Sequence, residues 1–252
     1  MTEPRRIALL ADVHANREAL AACLDHASRL AVDRYVFLGD LVGYGADPAW
    51  VLNLVMELAE QGASVVLGNH DAAVVGDNRS RIMHVDARRV VDWTRSQLDQ
   101  THMQFLAGLP LSTTNSELLF VHANAWAPGQ WEYITSPFAA ARSLAATRCR
   151  ITFCGHVHKS IMYHLGPNGR VTEFSPAPEV ALPLSGTGGW LINPGSVGQP
   201  RDGNPAASYA IHDTVKSSLI YFRVPYDTTA AAQKIRQAGL PGWLASRLLE
   251  GI

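Results

Sequence analysis

Four short segments concentrate carboxylate, imidazole and amide side chains: Asp12-Val13-His14, Gly39-Asp40, Gly68-Asn69-His70-Asp71 and Gly155-His156-Val157-His158. Such side chains ligate divalent cations, and an Asp and a His with one residue between them can both turn toward one ion from a loop. Taken alone, each segment also has an ordinary reading. Asp12 suits a helix cap, and Gly, Asn and Asp suit polar turns. The paired histidines after Gly155 point to a metal more strongly than a bare Asp-x-His does. Position separates the two readings. Each segment follows a run that reads as a buried strand, so each emerges at the carboxyl edge of a sheet, where different strands can aim side chains at one point.

The elements that must position these groups follow from apolar periodicity. Residues 7–11 read as a fully buried strand, and residues 16–30 carry Leu20, Cys23, Leu24 and Ala27 at helical spacing. The alternation repeats as 35–38 then 48–61, and as 64–67 then 87–98, where Val90, Val91, Thr94 and Leu98 mark one face. This is strand–helix–strand grammar and predicts parallel strands. After residue 110 come short strand-like runs at 118–121, 151–154, 161–164, 190–192, 208–212 and 218–224, which predict a second, more antiparallel sheet. Helices are expected over 137–147, 228–238 and 241–249, with Gly239 and Pro241 as stop and start signals. Residues 176–188 and 199–206 read as loops.

Bulk composition narrows the function. A chain of 252 residues, 47% hydrophobic and 17% charged, can bury a substantial core, and the expectation is a single α/β domain over 1–252 with helices at 228–250 packed on it. No apolar stretch approaches a membrane helix. The run at 7–11 is too short for a signal sequence. With 21 Lys plus Arg against 22 Asp plus Glu, no positive field exists to hold duplex nucleic acid. Cys23, Cys149 and Cys154 are odd in number and form no close-spaced pair, which suits a reducing compartment, the cytoplasm.

Asp-x-His at 12–14, Gly-Asp-x-x-Gly at 39–43, Gly-Asn-His-Asp at 68–71, a strand-end His122 and Gly-His-x-His at 155–158 together resemble the calcineurin-like metallophosphoesterases. The resemblance spans residues 7–213. Through Gly-Asp-Leu-Val-Gly-Tyr-Gly at 39–45 and Asn-Pro-Gly-Ser-Val-Gly-Gln-Pro-Arg-Asp-Gly at 193–203, the chain is most similar to the small bacterial and archaeal predicted phosphodiesterases. The resemblance implies a four-layer sandwich, two mixed β-sheets flanked by helices. It further implies two divalent ions, one held by Asp12, His14, Asp40 and His158 and the other by Asp40, Asn69, His122 and His156, with Asp40 bridging. Such mixed ligands suit Mn or Fe first, with Zn, Ni, Co or Mg as alternatives.

By that resemblance a metal-bridging hydroxide attacks the phosphorus in line, and His70, beside Asn69, protonates the leaving oxygen. Arg201 is a candidate for a phosphate oxygen, its planar guanidinium suiting that contact, although an exposed loop arginine is an equal reading. Tyr44, Trp126, Trp131 and Tyr133 lie in loops expected near the site, where ordinary packing is the better expectation than stacking on a nucleobase. His26, His84, His102, His164 and His212 match no ligand motif and are expected to be structural or surface residues. The leading expectation is hydrolysis of a phosphodiester or a nucleotide phosphoanhydride such as diadenosine tetraphosphate. A phosphomonoesterase acting on a small metabolite is the alternative, and a non-catalytic scaffold or a nuclease ranks lower. Protein phosphatase activity is not expected, because the Asp-Arg that follows the second motif in those enzymes is lacking. The expected partner is a small phosphoester, with an oligomer left open.

Overall fold

Strand β1 (Arg6–Leu10) shows why the interior has layers. Ile7 and Leu9 enter one apolar cluster while Ala8 and Leu10 enter another, so both faces of the strand are covered. The computed structural model describes residues 5–76, 85–184 and 186–252. After β1 come α1 (Arg17–Ser28), β2 (Arg34–Phe37), α2 (Pro48–Glu60), β3 (Ser64–Val65), α3 (Asn69–Val75), α4 (Val85–Ser96) and α5 (Gln100–Gly108). Asn16 caps α1 by accepting the Ala19 N–H, and proline opens the first turn of α2. Strands β4 (Ser112–Asn115) and β5 (Leu118–Val121) then lead to α6 (Pro137–Ala145). Next are β6 (Ile151–Phe153), β7 (Ser160–Leu165), β8 (Val171–Phe174), β9 (Leu182–Pro183), β10 (Gly189–Pro194), β11 (Ala207–Asp213) and β12 (Ser218–Val224). Helices α7 (Thr228–Gln237) and α8 (Gly242–Glu250) close the order.

The strands form two six-stranded mixed sheets, in the orders β3-β2-β1-β11-β12-β9 and β4-β5-β6-β10-β7-β8. Between them Ile7, Leu9, Val36 and Tyr221 of the first sheet meet Phe120, Phe153, Met162 and Ile192 of the second. Helices α1, α2, α3 and α5 cover the outer face of the first sheet, and α6 covers the second through Ala140 and Leu144. The result is the expected helix–sheet–sheet–helix stack. In the first sheet β1, β2 and β3 run parallel; in the second β5, β6 and β10 do. No helix among the described residues is long and apolar enough to cross a membrane.

Some expectations need correction. Residues 208–212 and 218–224 are strands, but they belong to the first sheet, where β11 pairs antiparallel with β1. Both sheets therefore hold two parallel and three antiparallel pairings among the described residues, and the second is not the more antiparallel. Residues 176–188 include the short edge strand β9. Gly68 to Asp71 forms the entry to a helix, since α3 begins at Asn69. Helix α5 and the edge strands β4 and β8 were not anticipated: β4 reads Ser-Thr-Thr-Asn and carries no apolar signal. His84 lies outside the described residues.

Candidate metal centre

The loops leaving β1, β2 and β6 are built from backbone that most side chains avoid. Asp12, His14, Asp40, His156 and His158 have φ of 54°, 49°, 53°, 71° and 60°. Left-handed backbone costs a non-glycine residue roughly 1–2 kcal/mol, so five in one small volume mark a place where geometry outranks local comfort. Interlocking amides hold them there. Asp12 N–H donates to the Gly39 carbonyl at 3.1 Å, and His14 N–H donates to the Asp40 carbonyl at 2.9 Å. Gly68 completes the joint, because a Cβ there would stand 2.1 Å from the Asp40 nitrogen.

The side chains converge as two clusters with a shared member: Asp12, His14, Asp40 and His158, and Asp40, His122 and His156. His14 Nε2 lies 3.2 Å from His158 Nε2 and 3.7 Å from an Asp40 oxygen. His158 Nε2 is 3.3 Å from Asp12 Oδ1. In the other cluster His122 Nε2 lies 3.4 Å from the same Asp40 oxygen, 3.1 Å from His156 Nδ1 and 3.0 Å from Asn69 Oδ1. All seven residues singled out as ligands thus meet at one place.

The far ring nitrogens decide what the near ones offer. His14 Nδ1, His122 Nδ1 and His158 Nδ1 face the carbonyls of Val42, Leu38 and Gln199 at 3.2, 2.8 and 2.7 Å, and His156 Nε2 faces that of Trp131 at 2.9 Å. A carbonyl only accepts, so each of these nitrogens carries the proton and the inward nitrogen of a neutral ring presents a lone pair. The inward lone pairs of His14 and His158, 3.2 Å apart, repel one another. A cation between them relieves the repulsion, and outer hydrogen bonds to backbone are the usual support of metal-ligating histidine. The donor set, imidazole with carboxylate and one amide oxygen, fits the divalent metals the sequence suggested.

Charges within the centre are tightly coupled. Burial opposes ionisation of Asp40, yet His122, His70 and His14 hold its pKa well below the ordinary carboxylate range. Burial likewise works against a charged His122, but the facing Asp40 raises it to about 9. Burial pushes Asp12 up to about 7, against His122 and with the help of Asp40. Burial drives His14 and His158 well below the ordinary imidazole value, and it lowers His156 to about 3, with His122 adding to that.

His70 sits at the edge of the clusters, its ring edge-on to His14 at 5.0 Å and against Tyr44 at 4.3 Å. Its backbone N–H donates to Asp40 Oδ1 at 2.8 Å, its Nδ1 is buried without a hydrogen-bond partner, and burial lowers its pKa. Arg201 donates its backbone N–H to the His158 carbonyl at 3.1 Å and its guanidinium to Gln199 Oε1, placing it over the Tyr44 ring at 5.8 Å. Tyr133 stacks flat on His156 at 4.0 Å, and Trp131 lies edge-on to His122. Trp126 instead packs on Arg142 and donates to Glu132.

Residues given no site role in the sequence turn out to hold it together. Asp71, wholly buried, accepts the amides of Val42 and Gly68 and so ties the second and third motifs to each other. Its place in Gly-Asn-His-Asp was the available signal. Asn193 donates to the Gly155 carbonyl at 2.6 Å, and Ser196 Oγ donates to the Asp12 carbonyl at 2.8 Å. The remaining described histidines are structural, as expected: His26 bonds Tyr209, His102 bonds Asn53, His164 stacks on Trp190 and His212 bonds the Ser218 carbonyl.

Comparison with known proteins gives a consistent answer. The model of the calcineurin-like phosphoesterase superfamily domain matches residues 6–217. An uncharacterized protein of Methanocaldococcus jannaschii is 33% identical over 249 residues, covering 97% of this chain and 98% of that one. Among solved structures, a metallophosphoesterase from Sphaerobacter thermophilus is 36% identical with a TM-score of 0.87, over 99% of this chain and 100% of that one. A hypothetical protein from Pyrococcus horikoshii shares the fold at 17% identity, with a TM-score of 0.80 and 98% of each chain covered.

Proposed function

Since the chain belongs to the calcineurin-like phosphoesterase superfamily, we propose that it is a metal-dependent hydrolase of phosphodiesters or nucleotide phosphoanhydrides. Asp12, His14, Asp40 and His158 would hold one cation, and Asp40, Asn69, His122 and His156 the other. Two divalent ions, Mn or Fe first, would supply an acidified water and positive charge toward the phosphate oxygens. The observation that carries this reading is the set of four imidazoles, each fixed by a backbone carbonyl and turned inward around one shared carboxylate. Three unpaired cysteines support a cytoplasmic setting.

The chain's own groups divide the remaining work. Asn69 and Arg201 orient the phosphate, Asn69 from the first residue of α3 and Arg201 from its seat on Gln199. His70 delivers the proton to the leaving oxygen. Burial alone would leave it neutral, but a bound phosphate brings negative charge that favours the protonated ring. Tyr44 and the Gly39–Gly43 turn shape the wall behind it, for a Cβ on Gly43 would meet the His70 ring.

The test is hydrolysis of bis-p-nitrophenyl phosphate against p-nitrophenyl phosphate by protein stripped of metal and reloaded in parallel with Mn²⁺, Mg²⁺, Ni²⁺ and Zn²⁺. Metal-restored cleavage that favours the diester is expected. Preference for the monoester would replace the diesterase reading. Inactivity toward these and nucleotide substrates with two metals bound would remove the hydrolase reading itself.

A further inference from the structure

Helices α7 and α8 begin after the stretch matched by the family model, yet α8 reaches the mouth of the site. Trp243 and Arg247 stand four residues apart, on one face of that helix. The Arg247 guanidinium lies over the Trp243 ring at 4.8 Å, Trp243 meets Tyr44 at 6.3 Å, and Arg201 covers Tyr44 at 5.8 Å. The two arginines therefore flank a Tyr44–Trp243 aromatic pair. Among the described residues neither has a carboxylate partner, and the Arg201 guanidinium is held only by the neutral Gln199 side chain. Both are half-buried rather than fully solvated.

The arrangement is held in place. The Gly203 N–H, two residues beyond Arg201, donates to the Gly251 carbonyl at 2.9 Å, just past the end of α8. Gly251 has φ of 70° and no room for a side chain, since a Cβ would fall 2.6 Å from the Asn204 carbonyl carbon. The loop bearing Arg201 and the helix bearing Arg247 are thus pinned to each other. Burial lowers the Arg247 pKa, and the charge of Arg201 adds to that. An anion brought against these guanidinium groups relieves that penalty.

We propose that Arg247, with Arg201 shared between the cleaved phosphate and its neighbour, forms a second anion subsite fitted to a further phosphate of the substrate, so that the substrate class is a nucleotide polyphosphate rather than a simple diester. This rests on the hydrolase reading above. The cleaved phosphate would lie at the metal centre, and its neighbour in the polyphosphate chain would reach toward α8 past Tyr44. A lone diester phosphate has nothing to place there. Guanidinium groups suit this role because they grip phosphate oxygens in a plane and never lose their charge.

The test compares diadenosine tetraphosphate with bis-p-nitrophenyl phosphate on metal-loaded protein, using Arg247→Gln and Arg247→Lys. Arg247→Gln keeps much of the stem that packs on Trp243. It should lower the ratio of kcat/KM for the polyphosphate over the diester by on the order of tenfold or more, chiefly through KM, because one charge-assisted contact is worth about that. Arg247→Lys should restore part of the ratio. Independently of activity, calorimetric binding of inorganic tripolyphosphate to metal-stripped protein should weaken by a similar factor in Arg247→Gln and show a steep salt dependence in the parent. A ratio and a tripolyphosphate affinity both unchanged in a folded Arg247→Gln protein would overturn the subsite. If the parent hydrolyses nothing with any metal, the hydrolase reading fails, and the binding arm still decides whether the subsite exists.

Discussion

The two halves of the donor cluster share Asp40 and are tied again where the His156 N–H donates to the Asp12 carboxylate at 3.0 Å, yet their surroundings differ. Asp12, His14 and His158 lie at 2% exposure or less, with Tyr44 across His14 at 4.6 Å and the Gln199 carbonyl behind His158. His122 and His156 face Trp131 and Tyr133, and Tyr133 is 54% exposed. The first half is sealed, and the second, with His122 at 0% and His156 at 5% exposure, opens only by way of Tyr133. Their electrostatics differ too. His14 and His158 are driven neutral by burial, so each presents an unprotonated nitrogen inward. His122, closest to the Asp40 carboxylate, is raised to about 9 and keeps a proton where a cation would sit. Burial outweighs the pull of Asp40 on His14 at 3.7 Å, whereas at His122, 3.4 Å away, the carboxylate outweighs burial.

The sharpest way to break this comparison is to remove the residue common to both halves. Asp40→Ala should lose both metals together and cut kcat by about 10³-fold or more, since a single positioned charge in a catalytic site is worth 10²–10³ and Asp40 serves two halves. Metal analysis of the purified variant checks it, and two ions per chain would end the shared-ligand scheme. His70→Asn should act differently, on chemistry rather than loading. With an alkoxide leaving group it should lose roughly 10²–10³ in kcat, and far less with p-nitrophenolate, which departs without a proton. Equal losses on both substrates would take the general-acid role from His70.

How much of this could be read in the chain follows from where each feature is written. The ligand segments were legible because each is local and each ends a buried apolar run, as 7–10 does before Asp12 and 151–153 before His156. His122 carries no motif around it and entered only through the family resemblance. The strands at 207–213 and 218–224 were legible as strands but assigned to the wrong sheet, because alternation reports a covered face and not the neighbour across the hydrogen bonds. What fixes the imidazoles was not legible at all. Their partners are backbone carbonyls of Leu38, Val42, Trp131 and Gln199, and a carbonyl has the same chemistry whatever side chain it carries. The pairing of Arg247 with Arg201 needed the fold as well, since the two are brought together by the Gly203–Gly251 contact.

Metal affinity as a function of pH sharpens the contrast between the halves. A cation binds deprotonated donors, so affinity climbs about tenfold per pH unit for each proton that must leave, and flattens once the group's pKa is passed. In the open half that proton is on His122, so the climb should continue toward about pH 9. In the sealed half the imidazoles are already neutral, and only Asp12, raised to about 7, has a proton to lose, so the climb should end near neutrality. Calorimetric titrations with Mn²⁺ in buffers of different ionisation heat should therefore show proton release for one site only at about pH 8. Identical proton release from both sites would mean that the halves do not differ in the way their surroundings suggest.

Tyr133 offers the mildest test. Its ring lies 8° from parallel with His156 at 4.0 Å, so one face is spent on the ligand while much of the residue remains open to solvent. Stacking of this kind is worth roughly 0.5–1.5 kcal/mol, and its loss loosens the imidazole on its outer anchor, the Trp131 carbonyl. Tyr133→Ala should therefore release the open-half metal roughly 2- to 10-fold faster, measured by chelator-induced loss in stopped flow, while the sealed-half metal keeps its rate. The asymmetry is the informative part, because no ring of Tyr133 reaches His14 or His158, whose ring neighbours are each other, Tyr44 and His70. If both metals left faster by the same factor, Tyr133 would be supporting the whole loop rather than one ligand, and the division into a sealed and an open half would rest on exposure alone.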